Sequence, residues 1–115
     1  MNKFQQKLVD ERYCDVRGAG FCATAVHLPN GERGIVALCV NGNNLNVFDV
    51  HGMVRTELGE VLYSIPLSKV EGLKMRSNIL SQILWFVYDD EVYHFTNFVG
   101  VKPALKVIEE ESKRA

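Results

Sequence analysis

The sequence predicts a mainly β domain closed by a C-terminal helix. Three observations carry this reading. Short apolar runs with two-residue alternation fill the middle of the chain, turn residues separate them at close spacing, and the last segment changes to helical periodicity. At 115 residues the chain fits one domain. A domain of this size buries roughly two thirds of its unfolded surface and needs no covalent staple.

The first element is a short helix over residues 2–12. Asn2 can cap it, with Gln5 three positions on. Phe4 and Leu8 share one face, and Lys7 and Glu11 form an i, i+4 pair. The apolar stripe is thin, so this helix is expected to lie on the body or on a partner.

Gly18-Ala19-Gly20 breaks the chain, and the period becomes two. Phe21 to Leu28 reads as a strand, followed by the turn Pro29-Asn30-Gly31. Gly34 to Val40 and Leu45 to Val50 are the next strands, joined by Asn41-Gly42-Asn43-Asn44. After a turn at His51-Gly52, Val54 to Leu58 reads as a fourth strand. Val61 to Ile65 leads into PLSKVEGLKMR, where Pro66 marks a strand start, an edge or a bulge.

Ile79 to Tyr88 reads as the longest apolar strand. Ile79, Ile83, Trp85 and Val87 fall on one side, and Leu80, Leu84, Phe86 and Tyr88 on the other. A strand apolar on both faces is either central or carries an interface. Asp89-Asp90-Glu91 is a tight acidic turn, and Val92 to Thr96 returns as the last strand. Val101, Ala104, Leu105 and Ile108 then mark one face of a helix over 100–113, with Pro103 in its first turn. About seven strands and one amphipathic helix suggest a curled antiparallel sheet capped by that helix.

Charge narrows the function classes. The formal net charge is -1 with a pI near 6.3. Residues 18–101 carry Arg33, Arg55, Lys69, Lys74 and Arg76 against eight acidic residues. That balance supplies no long-range field for nucleic acid, and strong binding to an anionic membrane is not expected. The start of the chain lacks the apolar core of a signal peptide, and the apolar runs are too broken for a membrane-spanning helix, so the expected location is the cytoplasm. Three cysteines, Cys14, Cys22 and Cys39, lack the paired spacing of a disulfide framework. Cys22 and Cys39 sit in apolar runs and read as small core residues.

The string IPLSKVEGLKM (Ile65–Met75), then LWFVYDDEVYHFTNF (Leu84–Phe98) and the closing helix, resembles bacterial pleckstrin-homology-like (PH-like) domains. GIVALCVNGNNLNVFDV (Gly34–Val50) looks like an earlier hairpin of that family. The resemblance spans about residues 20–112. It implies a strongly bent antiparallel barrel of about seven strands over 20–98, one end closed by the helix, within a single PH-like domain over 1–115. It also implies a non-catalytic binding module, some bacterial members assembling into rings or dimers. Lipid-binding members use a basic loop between their first two strands. The corresponding LPNGERG (Leu28–Gly34) holds Arg33 as its only cation, with Glu32 beside it. A phosphoinositide head group needs several cations together, so lipid recognition does not carry over at this loop.

Constellations of chemistry are thin. His27, His51 and His94 with the three cysteines lack the close ligand pairs of structural zinc. No nucleophile elbow, phosphate loop or dinucleotide fingerprint occurs. Adjacent Asp89, Asp90 and Glu91 diverge on a hairpin tip, whereas calcium loops alternate their ligands. Trp85, Phe86, Tyr88, Tyr93, Phe95 and Phe98 cluster without the interleaved Lys and Arg of RNA readers.

No catalytic, cofactor or metal residue is therefore assigned. The expected function is protein–protein contact, with self-assembly, through Ile79, Ile83, Trp85, Val87, Phe4 and Leu8. A membrane-associated lipid sensor and a small-ligand-binding barrel or enzyme are the alternative readings.

Overall fold

The computed structural model describes residues 3–15, 20–51, 57–98 and 101–114, without the side chains of residues 3–5, 51, 57 and 58. A helix, α1 (Lys3–Asp10), precedes seven strands: β1 (Gly20–His27), β2 (Gly34–Asn41), β3 (Asn44–His51), β4 (Glu57–Pro66), β5 (Glu71–Ser77), β6 (Gln82–Tyr88) and β7 (Glu91–Thr96). A closing helix, α2 (Lys102–Ser112), follows. The Asn2 cap lies outside the described residues, as does Val54–Thr56 of the expected fourth strand. From Glu57 that strand and the expected Val61–Ile65 run on as one element, β4.

All strands pair antiparallel in one sheet of order β4-β3-β2-β1-β7-β6-β5. The sheet is mainly β and strongly bent, as expected, but it does not close. β4 and β5 are its two edges. Pro66, which lacks a donor, ends β4 and caps a 3₁₀ turn at Leu67–Lys69, so the chain leaves one ladder before entering the next.

Bulges bend the sheet. Along β3 and β4 the pairing runs Val47↔Tyr63, Phe48↔Val61 and Val50↔Leu58, so β4 gains an extra residue twice. Gly59 stands in the second bulge, which explains why it does not break the strand. In β5 the pairs Glu71↔Val87 and Lys74↔Trp85 leave another extra residue, and Gly72 there has φ +64°. Tight turns match their residues. Asp89 and Asp90 both adopt positive φ between the paired Tyr88 and Glu91, the geometry of a type I′ hairpin turn.

The main core lies inside the bend. Phe21, Ala23 and Ala25 of β1, Val36, Leu38 and Val40 of β2, Leu84 and Phe86 of β6, and Phe95 of β7 point into it. The predicted helical face, Val101, Ala104, Leu105 and Ile108, is buried there with Phe98. α2 packs against the 3₁₀ turn and β2. It fills the gap that the unclosed sheet leaves.

A second, smaller core lies on the outside of the sheet. Leu8 and Cys14 pack there on Ala37, Cys39 and Phe48, with Val9, Tyr13 and Val50 around them. The strand buried on both faces is therefore β2, not the Ile79–Tyr88 segment. β2 alternates Val36, Leu38 and Val40 inward with Ala37 and Cys39 outward, and the outward pair lies under α1. Cys39 is core, as expected. Cys22 is only half-buried, because the alternation of β1 turns it outward between Phe21 and Ala23.

Gly20 sits where α1 meets the sheet. A Cβ there would lie 2.6 Å from Leu8 Cδ1 and 2.8 Å from Cys14 Sγ. Substituting Gly20→Ala is expected to cost about 1–3 kcal/mol by overpacking. Urea unfolding of the variant checks this, and an unchanged midpoint would contradict the packing of α1.

Candidate interaction surface

The outer face of the sheet divides in two. Over Ala37 and Cys39 of β2 and Phe48 of β3 it is covered by α1 and the residues that follow that helix. Over β5 to β7 the described residues leave it uncovered. Pairing places Lys74 opposite Trp85 and Arg76 opposite Ile83, and Trp85 opposite His94 and Val87 opposite Val92. Paired residues share a face, so Ile83, Trp85 and Val87 form an apolar strip along β6, flanked by Lys74 and Arg76 on one side and by Val92 and His94 on the other. All three strip residues are half-buried, while Leu84 and Phe86 between them are fully buried.

Trp85 is held in place. The Lys74 Nζ stands 4.9 Å from its ring centre, a cation–π distance. A Cβ on Gly72 would lie 3.1 Å from Trp85 Cζ3. The glycine at the bulge thus serves both the positive φ and the space for the indole.

Of the residues expected at an interface, Ile83, Trp85 and Val87 come together on this strip. Ile79 does not. β6 begins only at Gln82, and Ile79 and Leu80 sit in the β5–β6 turn with 96% of their surface exposed. The cause is Asn78, whose Oδ1 accepts hydrogen bonds from the backbone N–H of Leu80 (3.0 Å) and Ser81 (2.8 Å). This turn replaces the first residues of the expected strand. Leu8 is 1% exposed beneath α1, so its expected interface role is corrected to internal packing. The side chain of Phe4, the other helix residue in that set, lies outside the described ones.

The loop Leu28–Gly34 that carries Arg33 is tied back to the sheet, its Asn30 N–H donating to the Tyr63 hydroxyl at 3.0 Å. Arg33 and Glu32 are both exposed there. His27 and His94 are partners across β1 and β7. Among the described residues no three His, Cys, Asp or Glu side chains form a metal-holding group, and no helix is long and apolar enough to cross a membrane.

Two titratable groups are perturbed by packing. Cys39 is raised far above the ordinary thiol range by its hydrogen bond with Cys14 and then by burial. Such a thiol is a poor nucleophile. Tyr93 is pushed up to about 12, chiefly by burial and then by the neighbouring Tyr63. Its ring stacks on Phe86 at 5.1 Å and meets Tyr63 edge-on at 5.3 Å. Phe86 and Tyr93 belong to the main core, and Tyr63 packs against it.

No family model and no curated protein sequence matches this chain. Among solved structures it is similar to Inner Membrane Complex (IMC) Sub-compartment Protein 3 (ISP3) from Toxoplasma gondii. The TM-score is 0.51 and the identity 14%, over 98% of this chain and 86% of that one. At that identity the likeness speaks for the fold alone. The mainly β fold with seven antiparallel strands and a helix at each end, read from the sequence and seen in the structure, has a related fold in that neighbour.

The Tyr93 shift has a pH consequence. The folded state holds this proton more tightly than the unfolded chain, so above pH ~10 the unfolded state loses it first. Stability is expected to fall as pH rises from about 10 to about 12. Denaturant titrations across that range should show the slope, and Tyr93→Phe should remove part of it.

Proposed function

We propose that this protein is a non-catalytic, PH-like binding or scaffold module of bacterial, cytoplasmic type that works through protein contacts and assembles with itself. One observation carries the reading: the apolar strip Ile83–Trp85–Val87 on the part of the sheet that α1 leaves uncovered. The chain covers Ala37, Cys39 and Phe48 on the same face with its own N-terminal segment. An apolar strip with a fixed aromatic at its middle is the composition of an interface centre, and charged residues at its border form a rim.

A second copy is the occupant that needs nothing further. Two such strips match in length and chemistry under a two-fold axis, and Trp85 stands at the midpoint of β6. The alternative of lipid recognition through Leu28–Gly34 is disfavoured by its single cation beside Glu32. A ligand carried inside the sheet is disfavoured by the filled core, where Phe86, Phe95, Phe98 and Ile108 are all nearly inaccessible.

Size-exclusion chromatography with light scattering tests the proposal. The wild-type chain is expected to run as a dimer or larger at micromolar concentration. Trp85→Arg is expected to shift it to monomer while circular dichroism stays native, since the side chain lies outside the main core. A clean wild-type monomer, or a variant with unchanged mass, would overturn the reading.

A further inference from the structure

The β5–β6 turn carries a feature that the sheet-face contact does not use. Ile79 and Leu80 are two large aliphatic side chains in succession, each 96% exposed at the tip of a hairpin. Single exposed aliphatics are ordinary, but a fully exposed pair on a protruding turn is not.

The turn is bonded within itself. Asn78 Oδ1 accepts from the Leu80 and Ser81 N–H groups, and the Asn78 N–H donates to the Ser81 carbonyl at 3.0 Å. The Gln82 Nε2 donates to the Asn78 carbonyl at 2.7 Å and to the Ile79 carbonyl at 3.4 Å. These groups therefore have partners that do not depend on water. Their bonding lowers the cost of bringing this part of the turn to a low-water interface.

Along this hairpin the charge has one sign. No acidic residue occurs between Glu71 and Asp89, while Lys74 and Arg76 lie on that stretch. Arg76 is exposed two residues before the turn. Lys102, at the start of α2, lines one open concavity together with Ser77, Asn78, Ile79 and Leu80. The acidic residues Asp89, Asp90 and Glu91 stand at the other end of β6, a strand of seven residues, hence ~20 Å away. Physiological salt screens charge over ~8 Å. The tip therefore presents its own cations, whatever the net charge of the chain.

From these observations we infer that the Asn78–Ser81 turn is a shallow membrane anchor, with Ile79 and Leu80 entering the acyl boundary of an anionic bilayer and Arg76 and Lys102 meeting its head groups. A protein pocket is the weaker fit. Protein hot spots favour Trp, Tyr and Arg and under-represent Leu, whereas an apolar tip flanked by two cations matches an anionic lipid interface. The site is separate from the loop Leu28–Gly34, and it shares only Arg76, which lies opposite Ile83, with the border of the strip at Trp85.

Vesicle flotation of the full chain tests it. The protein is expected to float with phosphatidylcholine vesicles enriched in phosphatidylserine, much less with phosphatidylcholine alone, and less again in high salt. Ile79→Ser with Leu80→Ser is expected to lower partitioning roughly tenfold or more. Arg76→Gln and Lys102→Gln should each lower it by about fivefold. All four side chains are exposed, and unchanged thermal unfolding confirms that each variant folds. Failure of the wild type to float, or equal flotation of the double serine variant, overturns the inference. So does a double variant that alters oligomer mass but keeps its vesicle binding, which would make the tip a protein contact. A monomeric wild type that floats would sink the self-assembly reading and leave this one standing.

Discussion

The structure depends on the burial of β2 on both faces. Its inward side chains, Val36, Leu38 and Val40, join the main core, and its outward Ala37 and Cys39 lie under α1. The small outward residues set how closely the helix can approach. Gly20, beside them on β1, leaves room for Leu8 and Cys14. One strand thus anchors two hydrophobic layers. Its position near the middle of the sheet means that β1 and β3 are fixed by the same packing.

A second constraint follows from the open sheet. β4 and β5 do not pair, so the bend has a mouth that must be filled. α2 fills it with Ala104, Leu105 and Ile108, and Asn43 ties that helix to the body. The Asn43 amide donates to the Glu111 carbonyl at 2.9 Å, while its Oδ1 accepts from the Ser68 N–H and its backbone carbonyl accepts from the Leu67 N–H. A residue in the β2–β3 turn therefore holds both the 3₁₀ turn and the end of the chain. Glu111 is buried at this junction and pairs with Arg114 at 2.9 Å.

The helix face over 101–108 was legible because four apolar residues at helical spacing admit few other readings. The turns at Gly42-Asn43 and Asp89-Asp90 were legible for the same local reason. The site was legible in part. Ile83, Trp85 and Val87 fall on one face by simple alternation, and the structure keeps them there. Ile79 shares that parity but not that face, because an Asn78 side chain captures two backbone donors before the strand begins. Asn78-Ile79-Leu80-Ser81 did contain a warning, a polar residue at each end of an apolar pair, but hydropathy outweighed it.

What the sequence determined by itself was the local geometry: strand alternation, turn placement and the amphipathic period of α2. Each depends on residues within a few positions of one another. Which part of the sheet's outer face is covered, whether the sheet closes, and which strand is buried twice were decided only by tertiary structure. Those outcomes rest on contacts between residues far apart in the chain, such as Leu8 with Cys39 and Asn43 with Glu111. Hydropathy alone marked β6 as the strand with two apolar faces. Packing gave that role to β2, because a helix from the start of the chain came to rest on it.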